Sequence, residues 1–288
     1  MNFNTYKTQI DDYLKATVEI TDSVKNGLNK SMLYSLMAGG KRIRPMLVLA
    51  FNEMLGGDTE KVIPVACSVE MIHTYSLIHD DLPCMDNDDF RRGKPTNHVV
   101  FGDCTATLAG DALQPLAFST IFSSSLTDDR KAACAAILAE ASGCKGMCAG
   151  QYLDMISEGK VLSAEDLDEI NNLKTGALLA ASCMMGVASA GGSVQQLHAA
   201  DEFGHKIGLA FQIRDDMLDV LSTNEELGKP VGSDAQQNKN TYMAVFGKER
   251  CEKEIHTLTQ SAIGILRTNF ENTGFLEDFA LKLEARNS

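Results

Sequence analysis

Apolar residues recur along this chain mostly at three- and four-residue spacing, and few segments alternate as a strand would. The pattern predicts helices near residues 4–20, 28–38, 43–56, 60–82, 104–123, 128–157, 163–173, 175–190, 194–222, 238–246, 248–269 and 275–286. Thr127, Ser163 and Ser193 stand where helix N-caps belong, and the four residues from Ser163 and from Ser193 have the capping-box pattern. Segments 60–82 and 203–221 are apolar nearly all round, which places them at the centre of a bundle. No Gly/Ser/Pro linker and no internal repeat interrupts the chain, so residues 1–288 read as a single all-α domain.

Carboxylates break into these apolar segments at two places. Asp80, Asp81 and Asp86 lie in HDDLPCMDND, and Asp215, Asp216 and Asp219 lie in FQIRDDMLD, about 135 residues further on. Unpaired carboxylates are costly to desolvate, and crowded ones repel unless a cation sits among them. Clusters made of oxygen alone suit hard cations, above all Mg²⁺ with substrate phosphates completing its shell. Asp219 follows Asp215 by four residues and Asp216 by three, so on a helix the three share a face. A solvated charged face fits poorly there, because LAFQI precedes the cluster and MLDVL runs through its end. In the first cluster Pro83 should end the helix, and a bent chain could return Asp86 toward Asp80.

Cations accompany both clusters. DNDDFRRGKPTNH forms a polar loop with Arg91, Arg92 and Lys94, suited to bidentate phosphate contacts or to ordinary surface ion pairs. In AGGKRIRPML, Gly39 and Gly40 allow close backbone approach, and Lys41, Arg42 and Arg44 open the next helix, where N–H groups attract anions. The string is not a nucleotide P-loop: GxxxxGK[ST] is incomplete and no strand precedes it. His73 lies two helical turns before Asp80, and by itself it reads more often as a core histidine than as a ligand. Lys174 and Thr175 fall in a break between two predicted helices and Lys229 in the loop LGKPVGSD, positions that alone imply only solvent exposure.

The net charge of −13 argues against nucleic acid or an anionic membrane as a partner. No apolar run reaches the roughly 18 residues of a membrane span, and MNFNTYKTQIDDYLK lacks the features of a signal peptide, so the expectation is a cytoplasmic chain without membrane insertion. Eight cysteines without a paired framework read as reduced core residues. Cys144 and Cys148 could share a helix face, but no further ligands complete a zinc site. The 13 methionines read as core filler. There is no GxSxG, no HExxH and no complete dinucleotide fingerprint.

Taken together, the motifs carry a resemblance. HDDLPCMDNDDFRRGKPTNH resembles the first aspartate-rich motif of trans-prenyl diphosphate synthases, and FQIRDDMLD resembles the second. GGKRIRP, GQYLD at 150–154, KTG at 174–176 and GKPVGSD at 228–234 are similar to further signatures in the family's order, over roughly residues 30–245. Within the family the chain looks most like the bacterial farnesyl diphosphate synthase group. The resemblance implies a bundle of about ten or more helices around a central cavity, usually a homodimer, acting on small isoprenoid diphosphates. Carried over by position, Asp80, Asp81, Asp86, Asp215, Asp216 and Asp219 would hold three Mg²⁺ ions. Arg91, Lys174 and Lys229 would contact the allylic diphosphate, with Thr175 and Gln212 beside the reacting allyl group. Lys41, Arg44, His73 and Arg92 would bind isopentenyl diphosphate. Tyr75, with Ser76 after it, lies about 7.5 Å down the helix from Asp80 and would stop the product at fifteen carbons.

Three alternatives stand beside this reading. DDLPCMDNDD and RRGKPTNHVVFG also resemble geranylgeranyl diphosphate synthases. A terpene cyclase would share fold and metals but would not need Lys41, Arg44 and Arg92, and a non-catalytic prenyltransferase subunit would typically lose aspartates that this chain keeps. Met243 stands where the family often has proline, a departure that bears only on a helix start.

Overall fold

The computed structural model describes residues 2–18, 26–221 and 241–286. The chain forms α1 (Phe3–Thr17), α2 (Asn26–Leu36), α3 (Ile43–Met54), α4 (Thr59–Asp80), a hairpin of β1 (Phe90–Arg91) and β2 (Lys94–Pro95), α5 (Asn97–Phe101), α6 (Asp103–Ser123), α7 (Asp128–Ser142), α8 (Met147–Ile156) and α9 (Ala164–Asn171). A π-helical turn, Asn172–Gly176, leads into α10 (Ala177–Ala190), followed by α11 (Val194–Leu221), α12 (Tyr242–Phe246), α13 (Lys248–Asn269) and α14 (Gly274–Glu284).

The helices apolar on all sides lie innermost. α4 packs against α3 and α6, while α10 packs against α3, α7 and α11. Glycines set the closest crossings. A Cβ on Gly186 would stand 2.6 Å from Phe51 Cβ, and one on Gly204 would stand 2.3 Å from Ala180 Cα, so α10 meets α3 and α11 almost backbone to backbone. Around this centre one continuous core runs from Tyr6 and Ile10 of α1 to Phe279 of α14, closed by Phe3 stacked on Phe275 at 4.7 Å. A second cluster of Leu167, Ile213, Met217, Tyr242 and Ile255 ties α9, α12 and α13 to the acidic end of α11.

The capping boxes at Ser163 and Ser193 both form: Ser163 Oγ accepts from Asp166 N and Ser193 Oγ from Gln196 N, each at 3.2 Å. The segment expected as one helix over 128–157 is two. A Cβ on Gly146 would lie 2.1 Å from the carbonyl oxygen of Ala141, and Gly146 uses backbone angles of φ −138 and ψ −127 to turn the chain there. That break removes Cys144 from the helix of Cys148, so the two share no face, and both are exposed. Cys84 and Cys104 are exposed as well, so only Cys67, Cys134, Cys183 and Cys251 are core residues, and all eight are free thiols. The break expected at Lys174 is instead bridged by the π turn, which fuses residues 164–190 into one rod. By length and composition that rod could cross a membrane, contrary to the expectation of no such run, but 78% of its most apolar window is buried in the bundle. The polar loop after Asp86 contains the short hairpin and α5.

Candidate active site

α4 ends at Asp80 because Pro83 cannot continue it, and the chain then folds back: Asp86 N–H donates to the carbonyl of Asp80 at 2.9 Å. The three first-cluster carboxyls are thereby gathered at one helix end. Asp80 is held up to about pKa 6, foremost by burial and also by the charges of Asp86 and Asp81, with Lys174 and Arg91 pulling the other way. Burial also raises Asp81, against the pull of Arg91, whose Nε and Nη2 lie 2.7 and 2.6 Å from Asp81 Oδ1.

The second cluster lies on α11 among Ile213, Met217 and Leu218, all buried. Asp216 accepts from Gln212 Nε2 at 3.0 Å and from the backbone N–H of Tyr242 at 2.9 Å. Gln212 also accepts from Thr175 Oγ1 at 3.1 Å, so Thr175, Gln212 and Asp216 form one hydrogen-bonded line from the π turn to the cluster. Arg286 Nη1 reaches Asp215 Oδ1 at 2.5 Å, with its guanidinium over the ring of Phe211. Asp219 is buried one turn further on.

Lys174 joins the two clusters. It follows Leu173 inside the π turn, its Nζ donates to Asp154 Oδ2 at 2.6 Å, and its charge reaches Asp80. Thr175, the next residue, begins the line to Asp216. π turns insert one residue into a helix and recur at functional sites. Gly150, one turn before Asp154 on α8, makes the contact possible, since a Cβ there would stand 2.2 Å from the backbone nitrogen of Lys174.

A separate group of cations gathers two turns back along α4, around His73. Arg44 Nη1 lies 3.4 Å from His73 Nε2. Arg92 donates to the carbonyl of Gly39, and its guanidinium fills the space a Cβ on Gly40 would take. Burial lowers Arg44 to about pKa 10, with Arg92 adding to the effect. Burial and then Arg44 and Arg92 hold His73 well below its ordinary value, so its imidazole is neutral. Lys41 is lowered by burial and by Arg286, and the charge of Asp215 reaches both Lys41 and Arg44. The cation group therefore borders the second acidic cluster.

Tyr75 is buried below the first cluster, its hydroxyl 3.4 Å from Cys148 Sγ and its ring edge-on to His79. Ser76 turns its hydroxyl to the carbonyl of His73. Lys229 and the GKPVGSD segment lie outside the described residues. Sequence reasoning passed over Asp154, although GQYLD contains it, and passed over Glu70, Tyr242 and Arg286, whose roles depend on partners distant in sequence; it grouped Arg42 with the anion-attracting cations, whereas the side chain is bonded to Asp11, Glu70 and Leu36.

Among the described residues no three acidic, histidine or cysteine side chains already surround one point. Arg91 on Asp81, Arg286 on Asp215 and Lys174 beside Asp80 instead supply the positive charge these carboxyls require. The donor set nevertheless fits a hard divalent cation: it is all oxygen, partly desolvated, and Asp80 resists its own charge in a way a metal ion would relieve.

The family model for polyprenyl synthetase matches residues 25–274. The chain is 49% identical over 248 residues to a farnesyl diphosphate synthase of Geobacillus stearothermophilus, covering 84% of this chain and 82% of that one. It is 45% identical over 260 residues to large subunit 1 of the chloroplastic heterodimeric geranylgeranyl pyrophosphate synthase of Arabidopsis thaliana, covering 88% and 70%. A Helicobacter pylori geranyltransferase, solved in complex with magnesium and isoprenyl diphosphate, matches with a TM-score of 0.86 at 33% identity, covering 98% of this chain and 96% of that one.

Proposed function

The chain belongs to the polyprenyl synthetase family, and from that premise we propose that it joins isopentenyl diphosphate to dimethylallyl and then geranyl diphosphate, releasing farnesyl diphosphate. The observation that carries this reading is Lys174 with Thr175: the charge of one reaches Asp80 and the next is hydrogen-bonded through Gln212 to Asp216, which supports one site bordered by both acidic clusters.

Asp80, Asp81, Asp86, Asp215, Asp216 and Asp219 would hold magnesium, three ions in all, which when bound neutralises the allylic diphosphate and lets its C–O bond ionise. The chain's own residues do the rest by position and charge. Lys174, fixed by Asp154, and Arg91, fixed by Asp81, donate to the departing diphosphate, with Lys229 as a third donor. Thr175 and Gln212 hold each other and present oxygen dipoles toward the electron-poor allylic carbon. Lys41, Arg44, Arg92 and neutral His73 bind isopentenyl diphosphate, so its double bond attacks that carbon. The released diphosphate accepts the proton then lost, and no protein base is needed.

Tyr75, buried below Asp80, would close the floor for the growing chain and limit the product to fifteen carbons. The test incubates purified protein with Mg²⁺, radiolabelled isopentenyl diphosphate and geranyl diphosphate, then separates dephosphorylated products by length. A fifteen-carbon product that disappears with EDTA is expected, and Tyr75→Ala is expected to shift it to twenty carbons or more. A twenty-carbon product from the unaltered chain favours the second reading, a geranylgeranyl diphosphate synthase, which the 45% identity to such a subunit supports.

The protein works as a homodimer in the cytoplasm. The outer stripe of α6 carries Leu108 at 51% and Phe122 at 55% exposure, beside Val99 and Val100 of α5, which is the apolar face a second copy would cover. Eight free thiols suit a reducing compartment.

A further inference from the structure

Between Lys41 and Arg44 stands a third cation that the proposed reaction leaves unused. Arg42 is 4% exposed, and each of its guanidinium nitrogens is taken by the protein. Nε donates to Asp11 Oδ1 at 2.8 Å, Nη1 to Glu70 Oε1 at 2.7 Å, and Nη2 to the carbonyl of Leu36 at 2.6 Å. Those partners belong to α1, α4 and α2, so one side chain ties three helices to the turn before α3. Each nitrogen of Arg42 is thus committed to the protein, and the side chain is turned away from the solvent that a phosphate would arrive through.

The backbone of Arg42 sits at φ 53 and ψ 34, the left-handed region that a side-chain-bearing residue occupies only when its surroundings hold it there. The effect is to turn Arg42 into the core between two neighbouring cations. Arg42 points inward to Asp11 and Glu70, whereas the charges of Lys41 and Arg44 both reach Asp215. Glu70 does more than hold Arg42. It lies one turn before His73, is 3% exposed, and its charge reaches Arg44 and Arg92, opposing the repulsion among the three guanidinium groups. The cation group thus shares one buried counter-charge, Glu70.

We infer that Arg42 and Glu70, braced by Asp11, position the isopentenyl diphosphate site, setting the directions of Lys41 and Arg44 without touching substrate. The inference rests on the site reading proposed above. Buried ion pairs replaced together by apolar groups of similar size commonly leave a protein folded, whereas removing one partner strands a buried charge. The first variant is therefore the double substitution Arg42→Met with Glu70→Met.

Titration calorimetry would measure isopentenyl diphosphate binding, with geranyl diphosphate plus Mg²⁺ as the reference ligand and circular dichroism melting to report the fold. The expected result is a folded variant whose isopentenyl diphosphate affinity falls about tenfold to a hundredfold, as misplacing a binding group by about an ångström does, while geranyl diphosphate binding is unchanged. In turnover, KM for isopentenyl diphosphate should rise and KM for geranyl diphosphate should not. A folded double variant that binds isopentenyl diphosphate like the unaltered protein overturns the inference, as does equal weakening for both ligands. Should the double variant not fold, Asp11→Asn, at a position whose side chain is 29% exposed, serves instead. It should raise KM for isopentenyl diphosphate alone, and an unchanged value would overturn the inference. Failure of the unaltered protein to bind isopentenyl diphosphate would instead sink the functional reading.

Discussion

Asp80 can be read as a titration problem. Its ordinary pKa is near 3.8 and the fold raises it to about 6, chiefly by burial. The folded chain thus holds the proton more tightly than the unfolded one, so this contribution favours folding below about pH 4 and is lost as pH rises through 6. In metal-free protein, Asp80→Asn should gain in Tm relative to the unaltered chain as pH goes from 4 to 7, with the gain accumulating between about 4 and 6 and levelling off above. A gap that stays constant across that range would contradict the assignment. Lys174 and Asp154 behave differently, because their side chains are 27% and 30% exposed and such a pair stabilises by at most about 1 kcal/mol. Asp154→Asn should therefore melt within a few degrees of the parent yet lose about tenfold to a hundredfold in kcat, as a mispositioned catalytic group does. Comparable kcat values would remove Asp154 from the machinery. The two acidic clusters stood out in the sequence because carboxylates set within or at the end of apolar helices are anomalous wherever they occur. Asp154 and Glu70 look ordinary in sequence and gain meaning only from Lys174, 20 residues away, and Arg42, 28 residues away.

Among the elements, the 3.6-residue period found nearly every long helix, because a buried face leaves a periodic trace whatever it packs against. What the period does not carry is backbone detail. The break at Gly143–Gly146 sits in an otherwise continuous helical pattern, and the π turn at 172–176 leaves apolar spacing almost unaltered, so one was missed and the other mistaken for a gap. The hairpin at Phe90–Pro95, with two residues per strand, is too short to show alternation. Gly150→Ala tests the α8–π turn crossing directly. Its methyl would stand 2.2 Å from backbone, where no side chain can yield, so α8 must move. A destabilisation of about 1–3 kcal/mol is expected by urea unfolding, together with a loss of turnover larger than Asp154→Asn causes. Equal turnover in the two variants would mean the crossing matters only through Asp154.

At the scale of the molecule, the apolar stripe on α6 makes association measurable. Leu108→Glu places a carboxylate in the patch and, in a symmetric dimer, sets it beside its own copy or against apolar surface. For the dimer proposed above, sedimentation should show the unaltered chain as a dimer and the variant as a monomer at micromolar concentration, and a variant that stays dimeric would place the interface elsewhere. The fused rod of residues 164–190 bears on how this architecture can vary through time. The π turn makes its rod one residue longer than a regular helix would need, and each residue of a helix turns the chain by about 100°. Loss of a single codon at 172 or 173 would restore ordinary winding at the cost of swinging Leu167 out of its cluster with Tyr242, or Lys174 away from Asp154. Lineages that keep this chemistry can therefore exchange side chains on the exposed positions of the rod, while its residue count through that one turn is closed to deletion.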